Sequence, residues 1–300
     1  MTVQFEFAAW MQTQLGAVER ALEVWVPGSA PGGLGEAMRY AVLDGGKRLR
    51  PLLVLAAAEA VDGHHEAAVR GACAIELIHA YSLVHDDMPC MDNDVLRRGK
   101  PTVHVKFGEA LALLAGDALQ ALAFELLTPD SYDALIPSGI QAGLCRILAR
   151  AAGHGGMAGG QAIDLSSVGQ SLTEKQLRQM HRLKTGALLQ ASVAMGAVCG
   201  SESNEGAIVA LDRYGAALGL AFQVVDDILD VTADSATLGK TAGKDAAHDK
   251  PTYVSLLGLD RSQAYARELL DQALGALTGS GLADTGALEA LARMVVERNK

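Results

Sequence analysis

Two acidic groups, Asp86-Asp87-Met88-Pro89-Cys90-Met91-Asp92 with Asp94 just beyond, and Asp226-Asp227-Ile228-Leu229-Asp230, each end an apolar segment. Carboxylates crowded against apolar surface repel one another where solvent screens poorly, so a cation is expected among them. Asp226 and Asp230 are four residues apart, which on a helix places both on one face, about 6 Å apart along the axis, with Gln223 on the same face. Asp86 and Asp92 are six apart, and an unbroken helix would aim them in different directions. Pro89 is expected to end or distort the helix and let Asp92 swing back. Oxygen-only ligands suit a hard cation, and magnesium commonly takes one or two carboxylates together with water and substrate phosphate oxygens. A solvated acidic helix end is the alternative for either group alone; two of the same kind on apolar segments favour a metal.

Basic residues gather near these groups. Gly45-Gly46-Lys47-Arg48-Leu49-Arg50-Pro51 sets three cationic side chains beside flexible glycines, and Arg97-Arg98 follows the first acidic group directly. Guanidinium forks match phosphate oxygens two at a time, so adjacent arginines beside a magnesium site suit diphosphates; ion pairing with Asp92 and Asp94 is the alternative. His79 lies seven residues before Asp86, on nearly the same helix face, where a hydrogen-bonded core histidine is the ordinary reading. Lys240, Lys244 and Lys250 fall in a polar stretch from Ser235 to Pro251, and lysines in such loops ordinarily face solvent.

The run from His79 to Thr102, through both aspartates, Arg97 and Arg98, paired with Phe222-Gln-Val-Val-Asp-Asp-Ile-Leu-Asp230, resembles the trans-isoprenyl diphosphate synthases. It is most similar to the bacterial farnesyl diphosphate synthases, in which the first aspartate-rich motif carries two extra residues, and the similarity spans essentially the whole chain. The resemblance implies that Asp86, Asp87, Asp92, Asp226, Asp227 and Asp230 hold several magnesium ions, with manganese able to substitute. It implies an isopentenyl diphosphate pocket of Gly46, Lys47, Arg50, His79 and Arg98, and an allylic diphosphate site of Arg97, Lys184, Thr185, Gln223, Lys240 and Lys250. Catalysis would fall to Arg97, Lys184, Thr185, Gln223 and Lys240, and Tyr81, with small Ser82 beside it, would set product length. The implied reaction condenses isopentenyl diphosphate with dimethylallyl or geranyl diphosphate, ending mainly at farnesyl diphosphate. A geranylgeranyl diphosphate synthase is the nearest alternative. A terpene cyclase, a diphosphate hydrolase and a noncatalytic synthase subunit each leave part of this residue set unexplained.

These side chains need long, apolar scaffolding. Residues 4–25 read as an amphipathic helix with Phe5, Ala8, Met11, Leu15, Val18 and Leu22 on one face, stopped by Pro27-Gly28. Further helices are expected over residues 35–43, from Pro51 to Asp62-Gly63, and over 65–87, 107–127, 139–152 and 204–231. Thr173 to Gln176 forms a capping box that opens the helix bearing Lys184 and Thr185. At least two more helices run to the end, bringing Arg298 and Lys300 to the site mouth. Gly159-Gly160-Gln161-Ala162-Ile163-Asp164, which resembles the family's GQxxD element, reads as helix packing. With no alternating strand pattern the class is all-α, and the resemblance implies a large antiparallel helical bundle around a deep central cavity, as a homodimer.

Half of the residues are apolar, enough for a sizeable core, and no linker-like stretch divides residues 1–300, so one domain is expected. The net charge of −10 argues against nucleic acid and means that local cations must reverse the field around any anionic substrate. The apolar stretches carry polar interruptions and the first residues lack a signal-peptide pattern, which predicts no membrane span and a cytoplasmic protein. Cys73, Cys90, Cys145 and Cys199 lack CxxC spacing and read as free thiols of a reducing compartment.

Overall fold

The computed structural model describes residues 5–43, 45–130, 132, 134–170, 172–200, 205–232 and 252–298. Among these residues the chain is helical apart from connecting loops and one short two-stranded ribbon. It packs as two compact units, Met1–Arg146 with Met195–Ser201, and Ile147–Ala194 with Glu202–Lys300.

The first unit holds α1 (Phe7–Trp25), α2 (Leu34–Val42), α3 (Leu49–Ala60), α4 (His65–Asp86), strands β1 (Leu96–Arg97) and β2 (Lys100–Pro101), α5 (Val103–Phe107) and α6 (Glu109–Leu127). Helix α4 is its centre, packed by α3 and α6. It is apolar around most of its circumference, and Ile75, Leu77 and Ile78 are sealed from solvent. Each such side chain contributes about 1.5–3 kcal/mol relative to an exposed one.

Glu76 is a buried carboxylate on that apolar helix, at 4% exposure. Arg48 makes it tolerable, donating to Glu76 at 2.7 Å, to Glu19 at 2.7 Å and to the Val42 carbonyl at 2.7 Å. Burial works against the Arg48 charge, and the bonds from Glu19 and Glu76 more than offset it, so its pKa rises. Arg48 itself has φ 47 and precedes α3, which starts at Leu49 and takes Pro51 into its first turn, two residues earlier than expected from Pro51 alone. The helix expected over 107–127 is α6, which starts two residues later because Gly108 at φ 88 separates it from the short α5, an element that the sequence does not announce.

The second unit holds α8 (Met157–Ser166), α9 (Glu174–His181), a π turn (Arg182–Gly186), α11 (Glu205–Thr232), α12 (Tyr253–Leu257), α13 (Leu259–Thr278) and α14 (Gly286–Val296). Two of the three boundaries between the units fall within α7 (Ser138–Ala152) and α10 (Ala187–Val198). Helix α11 packs against α12, α13 and α14, and the core beside it joins Leu177, Met180, Val224, Leu229, Tyr253 and Leu269. The capping box expected at Thr173 is present, with the Thr173 side chain accepting from Gln176 N and Gln176 answering the Thr173 backbone. Buried His181 stacks on Tyr253 with ring centroids 5.7 Å apart.

By length and composition alone α4, α6 and α11 could each cross a membrane, a feature that the polar interruptions in the sequence disguise. For α4 the apolar surface is covered by protein, since 72% of its most apolar window is buried. Helix α11 carries Asp226, Asp227 and Asp230.

Arg48→Met leaves Glu76 buried without its cation, a loss on the order of 3–5 kcal/mol; urea denaturation should show a clearly lowered midpoint, and an unchanged one would remove this anchor. Burial holds the His181 imidazole down to about 4, against 6.5 for an ordinary histidine. Between those values the unfolded chain takes up a proton that the folded chain does not, so stability falls as pH drops from 6.5 towards 4. Thermal melts of His181→Phe, which keeps the stack, should lose less on acidification than the parent; equal losses would contradict the assignment.

Candidate active site

The end of α4 builds the first acidic group. Helical bonding stops at Asp86, three residues before Pro89, and the chain folds back: Asp92 N donates to Asp86 O at 2.8 Å and Asp94 N to Asp87 O at 3.1 Å. The expected return of Asp92 to Asp86 is therefore made by the backbone. The loop leads into β1 and β2, a ribbon too short to leave an alternating pattern in the sequence. Its turn residues Arg98 and Gly99 both have positive φ, 53 and 77, as a two-residue hairpin turn of right-handed twist requires.

This ribbon aims Arg97 at Asp87. The guanidinium donates to both carboxylate oxygens, at 2.8 and 2.6 Å. Asp87 is 2% exposed, and burial pushes its carboxyl above the usual range while Arg97 pulls it back only in part. Burial opposes the Arg97 charge too, but the Asp87 bond outweighs it and raises the Arg97 pKa. Arg97 is thus bound to Asp87, ten residues earlier in the chain, with the Asp94 and Asp86 carboxylates adding to the field that raises its pKa. Asp86 and Asp92 are half-buried at the loop surface.

On the next face of α4 lies a cleft lined by Tyr40, Arg48, His79, Arg97, Arg98 and Thr102. His79 is held well below the ordinary histidine range by burial and then by Arg50, Arg98, Arg97 and Arg48 in that order, so the ring is neutral at physiological pH. Arg50 Nε is buried with no partner among the described atoms. Arg98 donates to the Gly45 carbonyl, and a side chain on Gly46 would come within 2.9 Å of its guanidinium, at a φ of 140 that already favours glycine. Gly46 and Lys47 are exposed beside it. Four guanidinium groups around an uncharged imidazole concentrate positive charge in a chain carrying −10, an arrangement with the chemistry to meet an anion.

Tyr81 is half-buried one turn before the acidic loop. Its ring meets His85 edge-on at 5.7 Å, and its hydroxyl shares a hydrogen bond with Gln120 of α6. Helix α6 comes close there, since a side chain on Gly116 would collide with the His85 ring. Ser82 turns its hydroxyl back to His79 O at 2.8 Å.

In the second unit Asp227 plays the part of Asp87. It is 2% exposed; one oxygen accepts from Gln223 Nε2 at 2.8 Å and the other from Tyr253 N at 2.7 Å. Gln223 thus braces Asp227. Asp226 is half-buried and Asp230 buried. Arg298, expected at the site mouth, reaches Asp226 Oδ1 at 3.4 Å and Phe222 O at 3.2 Å, and lies over the Phe222 ring at 4.2 Å. Lys184 pairs with Asp164 at 2.5 Å, and Thr185 is half-buried in the π turn. Helix packing, the role expected of the Gly159–Asp164 run, leaves this ion pair out, because its two members stand twenty residues apart, beyond any local sequence signal. Lys240, Lys244, Lys250 and Lys300 lie outside the described residues.

Among the described residues no three acidic, His or Cys side chains converge as a ready-made metal cage. A magnesium ion whose shell is completed by phosphate oxygens and water needs only one or two carboxylates.

The profile of the polyprenyl synthetase family matches residues 32–287. The chain belongs to the polyprenyl synthetase family. This family member is 49% identical to the farnesyl diphosphate synthase of Escherichia coli over 268 residues, 88% of this chain and 89% of that protein. It is 46% identical over 298 residues to the large subunit 1 of the heterodimeric geranylgeranyl pyrophosphate synthase of Arabidopsis thaliana, 98% of this chain and 80% of that one. Among solved structures, an FPP/GFPP synthase from Zymomonas mobilis matches at a TM-score of 0.84 and 41% identity, covering 97% of this chain and 98% of its own. The all-α class expected of this synthetase is the class observed.

An anion bound among the arginines would offset the part that their charge plays, after burial, in keeping His79 neutral. Titration of the His79 ring protons by NMR, with and without inorganic diphosphate, should show its pKa rising in the complex; an unmoved pKa would mean that the diphosphate binds elsewhere.

Proposed function

We propose that this polyprenyl synthetase condenses isopentenyl diphosphate with dimethylallyl and geranyl diphosphate and releases mainly farnesyl diphosphate. The observation that carries the reading is the guanidinium cluster around neutral His79, directly behind a carboxylate loop on the same helix. A metal-dependent hydrolase would have use for the loop alone. The family match runs through both packing units, from residue 32 to 287, and supports one synthase domain over residues 1–300.

We assign Arg50, His79 and Arg98, with Lys47 and the close approach at Gly46, to the diphosphate of isopentenyl diphosphate. His79 in its neutral form offers one N–H donor without adding charge. Lys184, Thr185 and Gln223, with Arg97, Lys240 and Lys250, are assigned to the allylic diphosphate. Asp86, Asp92, Asp226 and Asp230 would hold magnesium; bound there, the ions neutralise charge on the departing diphosphate. Asp87 and Asp227, whose oxygens are committed to Arg97, Gln223 and Tyr253 N, serve those sites by holding the chain around them.

The allylic C1–O bond breaks, the C1 cation alkylates the double bond of isopentenyl diphosphate, and a proton is lost to the released diphosphate. Cationic side chains already in place stabilise charge as it develops on the leaving group, and fixed donors of this kind usually lower a barrier more than any other device in a site. Oxygen atoms of Thr185 and Gln223 shelter the cation. Tyr81, braced by Gln120 and His85, closes the tail cavity after fifteen carbons. The four free thiols suit the reducing cytoplasm, and the homodimer without a membrane span is proposed from the resemblance to the family.

Incubation with labelled isopentenyl diphosphate, dimethylallyl diphosphate and magnesium, followed by dephosphorylation and chromatography, should give farnesol as the main product. A twenty-carbon product would replace the farnesyl assignment with a geranylgeranyl one, and isopentenol already present before the dephosphorylation step, with no longer alcohol after it, would leave a hydrolase. Tyr81→Ser should extend the products to twenty carbons or more while activity persists; an active variant with unchanged products would exclude Tyr81 as the floor.

A further inference from the structure

The π turn Arg182–Gly186 interrupts what would otherwise be a continuous helix from α9 into α10, and such turns concentrate at functional positions because they re-aim side chains. Here it is clamped on two sides by glycines. On α8, a Cβ at Gly160 would lie 2.1 Å from Lys184 N and 2.5 Å from Lys184 Cα, so the α8 backbone presses directly on the turn. On α11, a Cβ at Gly219 would lie 3.0 Å from Gly186 Cα. The backbone of Lys184 is thereby fixed, while its four-carbon stem still has free rotations.

Asp164 stands one turn after Gly160 on α8 and supplies what the backbone clamp cannot. Its Oδ2 accepts from Lys184 Nζ at 2.5 Å, with the carboxylate side chain 10% exposed and the lysine 26%. An ammonium has three donors, so the Asp164 bond fixes its direction and leaves donors for an incoming anion. We infer that Asp164 is a positioning residue, holding the Lys184 ammonium in the direction from which it binds the diphosphate of the allylic substrate. The inference rests on the assignment of Lys184 above, and goes beyond the packing role read from the sequence.

The test is a double-mutant cycle of Asp164→Asn and Lys184→Ala, with Asp164→Glu alongside and circular dichroism to confirm the helical fold. Whichever kinetic constant Lys184→Ala moves, Asp164→Asn should move the same one, by about tenfold or more as for a misplaced binding group. The double variant should be no worse than Lys184→Ala alone. On the present assignment that constant is the KM for dimethylallyl or geranyl diphosphate, with the KM for isopentenyl diphosphate unchanged. Asp164→Glu, which keeps the charge, should recover part of the loss. Additive effects in the double variant, or equal losses in all constants, would overturn the positioning role. If both single variants instead raise the isopentenyl diphosphate KM non-additively, Asp164 still positions Lys184 and only the substrate assignment fails. A Lys184→Ala variant with parental constants would overturn both.

Discussion

A carboxylate taken out of water has to be met by donors, and this requirement shapes both acidic groups. In each, the second aspartate of the pair is 2% exposed and has both oxygens bonded inside its own unit. Asp87 draws the β-ribbon onto the end of α4 through Arg97; Asp227 draws the start of α12 onto α11 through Tyr253 N. The first aspartate of each pair then stays at the half-buried edge of a fixed frame. Two neighbouring residues of the same type thus divide the work. One is held inside the frame, and the other lies half-buried at its edge, where magnesium is proposed to bind.

A matching division governs the cations. A chain of net charge −10 can hold an anion only where positive groups are concentrated, and α4 concentrates them around His79. Arg48, although it adds to the potential there, is committed to Glu19 and Glu76 and anchors α1, α3 and α4 together. Arg50, with its buried Nε lacking a partner among the described atoms, is poised differently. Removing Arg48 would therefore act through stability, whereas Arg50 keeps an unmatched Nε for the diphosphate proposed to bind there.

Much of this is legible in the sequence because it is local. The capping box at Thr173 and the return of Asp92 beyond Pro89 depend on residues within a turn or two, and each is found where expected. The fate of each charged side chain depends on partners far along the chain. Arg48 and Arg50 sit two residues apart in one basic run, yet only the fold shows one hydrogen-bonded to Glu76 and the other with its Nε unmatched among the described atoms. Asp164 reads as packing because its lysine lies twenty residues away. Asp92 and Asp94 read as partners of Arg97 because they are near in the chain, and a hairpin turn with Arg98 at positive φ leaves no sequence pattern to say otherwise. The break at Gly108 is hidden for a similar reason, since a lone glycine in an apolar run does not reveal its φ.

The division of labour within the aspartate pairs is tested most directly by magnesium titration of activity in Asp86→Asn and Asp87→Asn, with thermal stability measured on the same samples. Asp86→Asn should raise the magnesium needed for half-maximal activity by about tenfold or more while stability stays near the parent value. Asp87→Asn should instead lose stability, because Arg97 is left without its anion, and should keep the parent magnesium requirement in whatever activity remains. The opposite pattern, a stable Asp87→Asn protein with a raised magnesium requirement and an unstable Asp86→Asn protein without one, would contradict it.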